Sequence, residues 1–364
     1  MKIKEIISFL ESFAPLSYQE SYDNSGLITG DPGQSVESVL LSIDVTEDVI
    51  DEAISLGSGM IISHHPILFS AIKKLTGDHY AERCIIKAIR NGIALYAMHT
   101  NADSVQEGVN RIICRKIGLE NTRILLPRQE ELKKLVFFVP PEHAQTVREK
   151  IFEAGAGVIG NYDRCSFNLP GEGTFRALEG TDPYVGKKGE LHTEKEIRVE
   201  TLFPKHRQSA VIAALLAAHP YEEVAYDLYP LDNQYFGAGM GMIGQLPEPV
   251  DEEYFLEQIK NKFSSRIIRH SRLLKRKIQT VAVCGGSGSS LLKEAIRQAA
   301  DIFLTADLKY HQFFDADERI VFADIGHYES EQFTTELFHD ILLKNFPNFA
   351  VHFSKVNTNP VNYF

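Results

Sequence analysis

The chain has 364 residues, 49 Asp and Glu against 38 Lys and Arg, a net charge of -11 and four cysteines. Its length asks for two domains or more, and its acidity argues against a nonspecific nucleic-acid surface. Cys84, Cys114, Cys165 and Cys284 are too scattered for a disulfide framework or a cysteine zinc knuckle.

Met1 to Glu11 alternates charged and apolar residues at helical spacing, where a signal peptide would carry an uninterrupted apolar core. No stretch approaches the ~20 apolar residues of a membrane span, so a cytoplasmic protein is expected. After the first helix, the apolar runs Val39 to Ile43, Met60 to Ser63 and Ile93 to Met98 alternate with helical stretches Glu47 to Leu56 and Ala81 to Arg90, which is βαβ rhythm. The middle reads differently. Leu135 to Val139, a helix over Glu142 to Ala154, strands at Tyr162 to Leu169 and Lys195 to Leu202, a helix through Ser209 to Leu216 and a closing run at Glu223 to Leu228 give the ferredoxin-like order. The joints are Leu126 to Glu130 and the glycine-rich Phe236 to Gly244, read as flexible. The α/β rhythm then returns with Gln279 to Cys284, a glycine loop, a helix over Leu291 to Ala299, Ile302 to Thr305 and Ile320 to Ile325. The expected fold is a layered α/β core built from residues 1–127 and 236–364, with a ferredoxin-like α+β domain inserted over 128–235.

The chemistry gathers where apolar runs end. His64-His65 closes Ile61-Ile62-Ser63, and Pro66 stops the strand so that both rings can turn toward one centre. His99 and Asp103 follow Ile93 to Met98. His327 and Glu331 follow Ile320 to Ile325 and are four apart, hence on one helical face. Open α/β sheets carry sites beyond the carboxyl ends of their strands. Three imidazoles and two carboxylates (His64, His65, Asp103, His327, Glu331) exceed the needs of one four-coordinate ion, and point to two metals about 3.5–4 Å apart.

With Tyr22-Asp23-Asn24-Ser25-Gly26-Leu27, Ser63 to Pro66, His99 to Asp103, Thr305-Ala306-Asp307-Leu308-Lys309-Tyr310-His311 and Gly326 to Glu331 in this order, the chain resembles the Nif-three-like dinuclear-metal family, whose members carry the label GTP cyclohydrolase I type 2. The first motif usually begins with tryptophan where this chain has Tyr22. The resemblance implies that His64, His65, Asp103, His327 and Glu331 are the metal ligands. It also implies a ring-shaped homohexamer and an insert of P-II/CutA-like type, a likeness carried by His219-Pro220-Tyr221-Glu222-Glu223. His219 and Glu222 could contact a ligand there, but a structural turn is the safer account of that phrase, since the proline breaks the helix before a final strand.

Around this set stand further candidates. His99 is a sixth ligand, an outer partner that orients Asp103, or a buried histidine satisfied by backbone. Asp44, Asp307 and His311 could line the same mouth, although helix caps or surface charges explain them as well. Gly285, Gly286, Ser287 and Gly288 form either a phosphate cradle or a tight turn, without the lysine of a nucleotide-hydrolysing loop.

Nitrogen and oxygen ligands accept zinc or iron first, with manganese, nickel or cobalt as alternatives. The expected chemistry is hydrolysis of a nucleotide or a small phosphorylated or heterocyclic substrate by a metal-bridging hydroxide, with no side chain assigned as the catalyst. The other reading is a metal-binding regulator or carrier without turnover. Expected partners are copies of the chain itself and a small-molecule substrate or regulator, with no membrane and no nucleic acid.

Overall fold

The computed structural model describes residues 1–364. The chain forms two compact units, Met1–Leu126 with Gly237–Phe364, and Pro127–Phe236. Pro127 and Phe236 therefore fall in the inserted unit, one residue beyond each boundary expected from sequence.

In the first segment α1 (Ile3–Phe13) buries Ile3, Ile6 and Leu10, the apolar stripe of an amphipathic helix. β1 (Gly26–Thr29) precedes β2 (Ser38–Ser42), in which all five residues are buried. α2 (Glu47–Leu56) starts where the Thr46 hydroxyl accepts the Val49 N–H. β3 (Met60–Ser63), α3 (Tyr80–Arg90), β4 (Ala94–Ala97), α4 (Thr100–Ser104), α5 (Val109–Ile117) and β5 (Glu120–Arg128) follow. β2, β3 and β4 pair in parallel and are buried throughout, as strands covered on both faces must be.

The inserted unit runs β6 (Leu132–Val139), α6 (Ala144–Glu153), β7 (Phe167–Arg176), β8 (Leu191–Pro204), α7 (Gln208–Ala218) and β9 (Tyr226–Leu231). Its sheet has the order β7-β8-β6-β9 with antiparallel neighbours, the ferredoxin-like arrangement. Leu135, Phe137, Val199 and Phe203 pack on Val147, Ile151, Val211 and Leu215 from the two helices. The expected strand at Tyr162 to Leu169 lies instead at Phe167–Arg176. This stretch is mostly exposed and carries two glycines, so no apolar alternation marks it; its ten registered pairs with β8 define it. His219 is half of a structural turn. Its Nε2–H donates to Phe138 O at 2.8 Å and its Nδ1 accepts the Tyr221 N–H at 3.1 Å, a neutral ring that burial keeps below the usual histidine pKa.

The last segment carries β10 (Tyr235–Asp251), α8 (Glu252–Lys262), β11 (Arg269–His270), β12 (Lys277–Val283), α9 (Leu292–Arg297), β13 (Ile302–Thr305), β14 (Val321–Asp324), α10 (His327–Glu331), α11 (Thr334–Asn345) and β15 (Ala350–Phe353). A second sheet has the order β11-β14-β13-β12-β10-β5, while β15 returns to close the first sheet as β1-β4-β3-β2-β15. The glycine-rich stretch Phe236 to Gly244 is thus strand rather than a flexible joint. Its glycines serve close packing: a Cβ on Gly241 would meet Val283 O at 2.8 Å, and one on Gly244 would meet Thr122 Cγ2 at 2.7 Å.

No helix is long and apolar enough to cross a membrane. Beneath β12, β13 and β14 the rings of Phe303 and Phe322 stack 5.4 Å apart within a fully buried cluster. Phe303→Ala should therefore lower stability by ~3–5 kcal/mol, read as a fall in the midpoint of denaturant unfolding; a change near zero would mean that this layer does not carry the second sheet.

Candidate metal centre

The carboxyl ends of five strands meet at one place. β2 delivers Asp44, β3 delivers His64 and His65, β4 delivers His99 and Asp103, β13 delivers Asp307, and β14 delivers His327 and Glu331. Backbone bonds from His64 N to Ser42 O and from His65 N to Ile43 O extend the β2–β3 ladder past its last strand residues. The two adjacent rings then lie 4.9 Å apart at 45°, turned to one centre rather than to opposite faces.

Four imidazoles are fixed by the same device. His64 Nδ1 bonds to Met98 O at 2.8 Å, His65 Nδ1 to Asp44 Oδ1 at 2.8 Å, His99 Nδ1 to Asp23 Oδ1 at 2.8 Å and His327 Nδ1 to Asp307 Oδ2 at 2.7 Å. Each anchor sets the ring plane and leaves Nε2 for the centre, the arrangement that metal-ligating histidines use.

Glu331 sits among these nitrogens with 3% of its side chain exposed. Its Oε1 is 3.6 Å from His64 Nε2; its Oε2 is 3.0 Å from His65 Nε2 and 3.1 Å from His327 Nε2. Asp103 Oδ1 closes the other side, 3.7 Å from His64 Nε2. His65 Nε2 and His327 Nε2 approach to 3.3 Å. Two groups of ligand atoms result, His65 with His327 and Glu331, and His64 with His65 and His99, each within 4.8 Å. His64 Nε2, Asp103 Oδ1 and Glu331 Oε2 are buried and make no hydrogen bond. Buried polar atoms are nearly always satisfied. Converging nitrogen and carboxylate donors, with unsatisfied atoms aimed at one another, fit divalent cations.

The electrostatics point the same way. Burial alone would lower the His65 and His327 pKa values, but the neighbouring carboxylates, Asp44 and Glu331 for His65 and Asp307 and Glu331 for His327, outweigh it and raise them to about 9 and about 11. Burial would raise Glu331, yet His64, His327 and His65 hold it well below the carboxylate range. Asp103 lacks such donors; burial and then the Glu331 charge push it up to about 7. Asp23 and Asp44 stay low despite burial because His99 with Thr100, and His65, bond to them.

His99 pairs with Asp23 rather than orienting Asp103, and its ring lies 5.3 Å from those of both His64 and His65. Asp23 is the functional carboxylate that reading the sequence did not single out, although the Tyr22 to Leu27 motif contains it. Asp44 and Asp307 are brought in as anchors. His311 is not brought in: it is exposed, against the rings of Tyr310 and Phe314, and away from the cavity.

The loop at Gly285, Gly286, Ser287 and Gly288 is not an open phosphate cradle, because three of its four amides are occupied. Gly285 N–H goes to Asn110 Oδ1, Gly286 N–H to Ser330 Oγ and Gly288 N–H to Thr305 Oγ1, at 2.9, 3.0 and 2.8 Å. Gly286 has φ +59°, and a Cβ there would collide with Glu331 Oε1. The loop is glycine so that Glu331 fits.

A two-sheet α/β core whose strand ends converge on histidines and carboxylates defines a candidate metal-binding protein. Comparison with known proteins sharpens this class. The sequence matches the profile of Duf34/NIF3 (NGG1p interacting factor 3) over residues 1–360, and the chain belongs to that family. A Halalkalibacterium halodurans protein named GTP cyclohydrolase 1 type 2 homolog is 42% identical over 312 residues, covering 85% of this chain and 84% of its own. A Bacillus subtilis protein of the same name is 38% identical over 327 residues, with 89% and 88% covered. Among solved structures, a Bacillus cereus protein related to NIF3 is similar with a TM-score of 0.88, 39% identity, and 100% and 99% of the two chains covered.

Two outcomes are expected of this geometry. His65 and His327, with pKa values raised to about 9 and about 11, hold protons at pH 7 in the cation-free protein. A cation needs their neutral nitrogens, so binding must release protons, and affinity must fall as pH falls. Calorimetric zinc titrations in buffers of different ionisation enthalpy should show this release; heats independent of buffer would count against it. Without cation the stabilisation from these imidazolium pairs is complete below the unfolded histidine pKa and is lost as pH rises through about 9 and then about 11. The second outcome concerns an anchor: Asp307→Ala should weaken zinc affinity by ~10–100-fold, measured by competition with a chromogenic chelator, and an unchanged affinity would remove Asp307 from the site.

Proposed function

We propose that the chain is a dinuclear divalent-metal hydrolase acting on a small molecule of nucleotide or heterocyclic type, with His64, His65, Asp103, His327 and Glu331 as ligands. The observation that carries this reading is Glu331: one buried carboxylate whose Oε1 faces His64 and whose Oε2 faces His65 and His327, so that it can serve two ions at once. Zinc or iron suits the mixed nitrogen and oxygen donors, with manganese, nickel or cobalt also accepted.

When bound, the cations would supply Lewis acidity and lower the pKa of water toward ~7. The chain's own contribution is positional. Asp44, Asp23, Asp307 and the Met98 carbonyl hold the four rings, so the donor atoms need no reorganisation when charge develops. The cavity above them, about 340 Å³, is walled by Tyr22, Pro66, Ile67, Phe69 and Met240, side chains that limit water around a reacting centre. The name borne by the curated relatives, GTP cyclohydrolase 1 type 2 homolog, supports water addition to a heterocyclic ring as the reaction class.

A metal-carrier or regulatory reading has one observation in its favour. Every imidazole lining the cavity is committed to an anchor at Nδ1 and to the cluster at Nε2, which leaves no histidine for separate acid–base work. Self-association is part of the proposal, because closed symmetric oligomers are the common case; a solution mass above the 40.9 kDa of one chain supports it.

The deciding experiment compares wild type with His64→Ala, His327→Ala and Glu331→Ala by elemental analysis and by turnover of GTP, nucleosides and a phosphoester panel. About two ions per chain, lost together with turnover in the variants, is the expected result. Two ions without turnover on any compound would favour the carrier, and no metal in the wild type would end the proposal.

A further inference from the structure

We infer that the cavity over the histidine cluster selects an uncharged, planar heterocycle, gripped by the rings of Tyr22, Phe69 and Tyr80, and disfavours nucleotides and other polyphosphorylated compounds. The inference rests on the hydrolase reading and narrows its substrate class.

Charge comes first. Glu20, Asp44, Asp103 and Glu331 line the cavity, and no lysine or arginine does. Two divalent cations would offset these four carboxylates and leave no surplus positive charge for a phosphate chain. Sites built for polyphosphates instead combine cations with a lysine, an arginine or a row of free backbone N–H groups. The glycine loop offers no row of them here, since Gly285, Gly286 and Gly288 spend their N–H groups on Asn110, Ser330 and Thr305, which leaves the single amide of Ser287.

Size agrees with charge. About 340 Å³ lies at the lower end for small-molecule sites, which start near ~300 Å³. That volume suits a ring system and little more. A nucleoside triphosphate would have to leave its charged arm outside, with nothing at the mouth to hold it.

The walls supply the positive selection. Tyr22 is 64% exposed, Phe69 55% and Tyr80 50%, although all three line a single cavity. Phe69 stands edge-on to His99 with centroids 5.7 Å apart. Large rings left open around one mouth expose apolar surface that a flat ligand would cover, and every such ligand has a π face to stack. Met240 adds a polarisable, adaptable contact on the same wall.

The test uses the full-length, zinc-loaded protein and isothermal titration with matched pairs: guanosine against GTP, adenosine against ATP, and pyridoxine against pyridoxine 5′-phosphate. At least one uncharged member should bind, its phosphorylated counterpart about tenfold or more weakly, and both Phe69→Ala and Tyr22→Ala should weaken the uncharged ligand by about tenfold, with zinc content unchanged by elemental analysis. Tighter binding of the phosphorylated members, or binding by none of the uncharged ones, would overturn the inference. Binding of an uncharged ring without turnover would sink the hydrolase reading and leave this one standing, whereas turnover confined to GTP would do the reverse.

Discussion

The constraint on which this structure turns is the burial of the Glu331 carboxylate. An ionised carboxylate removed from water is tolerated only when opposite charge and hydrogen bonds surround it, and Glu331 keeps 3% of its side-chain surface. Three imidazoles meet that demand, and they can do so only if their planes are fixed. The fixing comes from a further ring of acceptors, Asp44, Asp307 and the Met98 carbonyl, with Asp23 doing the same for the neighbouring His99. Even the glycine loop belongs to this system, because any side chain at Gly286 would occupy the space of the carboxylate.

The requirement ties together the two ends of the chain. His64 and His65 lie in the first segment and Glu331 in the last, some 266 positions beyond His65. β15 strengthens the tie by leaving the second segment to pair with β2 of the first sheet. Both segments are therefore needed for one folding unit, and the insertion at Pro127–Phe236 enters where β5 ends and β10 begins, two neighbouring strands of the second sheet. An insertion between adjacent strands leaves the core continuous, which is why a ferredoxin-like unit could be accommodated there without disturbing the cluster.

Family membership and site chemistry answer different questions. The Duf34/NIF3 match spans the chain and accounts for the fold. Which compound the site takes depends instead on what lines the cavity, and there the acidic rim, the occupied loop amides and the open aromatic rings speak more directly than a shared name.

Much of the architecture was legible in the sequence because it is written locally. Periodicity marked β2, β3, β4, β12, β13 and β14, and placed His64, His65, Asp103, His327 and Glu331 just beyond the carboxyl ends of strands. The four-residue spacing of His327 and Glu331 became a short helix whose two side chains meet. Tertiary structure alone decided the rest. The pairing of Asp23 with His99 spans 76 positions, the β7–β8 hairpin depends on register rather than on apolar pattern, and the glycines of β10 became strand because backbone atoms press against them. The glycine loop followed the same rule: its composition allowed an anion cradle, but three side chains from distant elements had already claimed three of its four N–H groups. Local sequence sets what a segment can present, and long-range packing determines which of its donors and faces remain free to act.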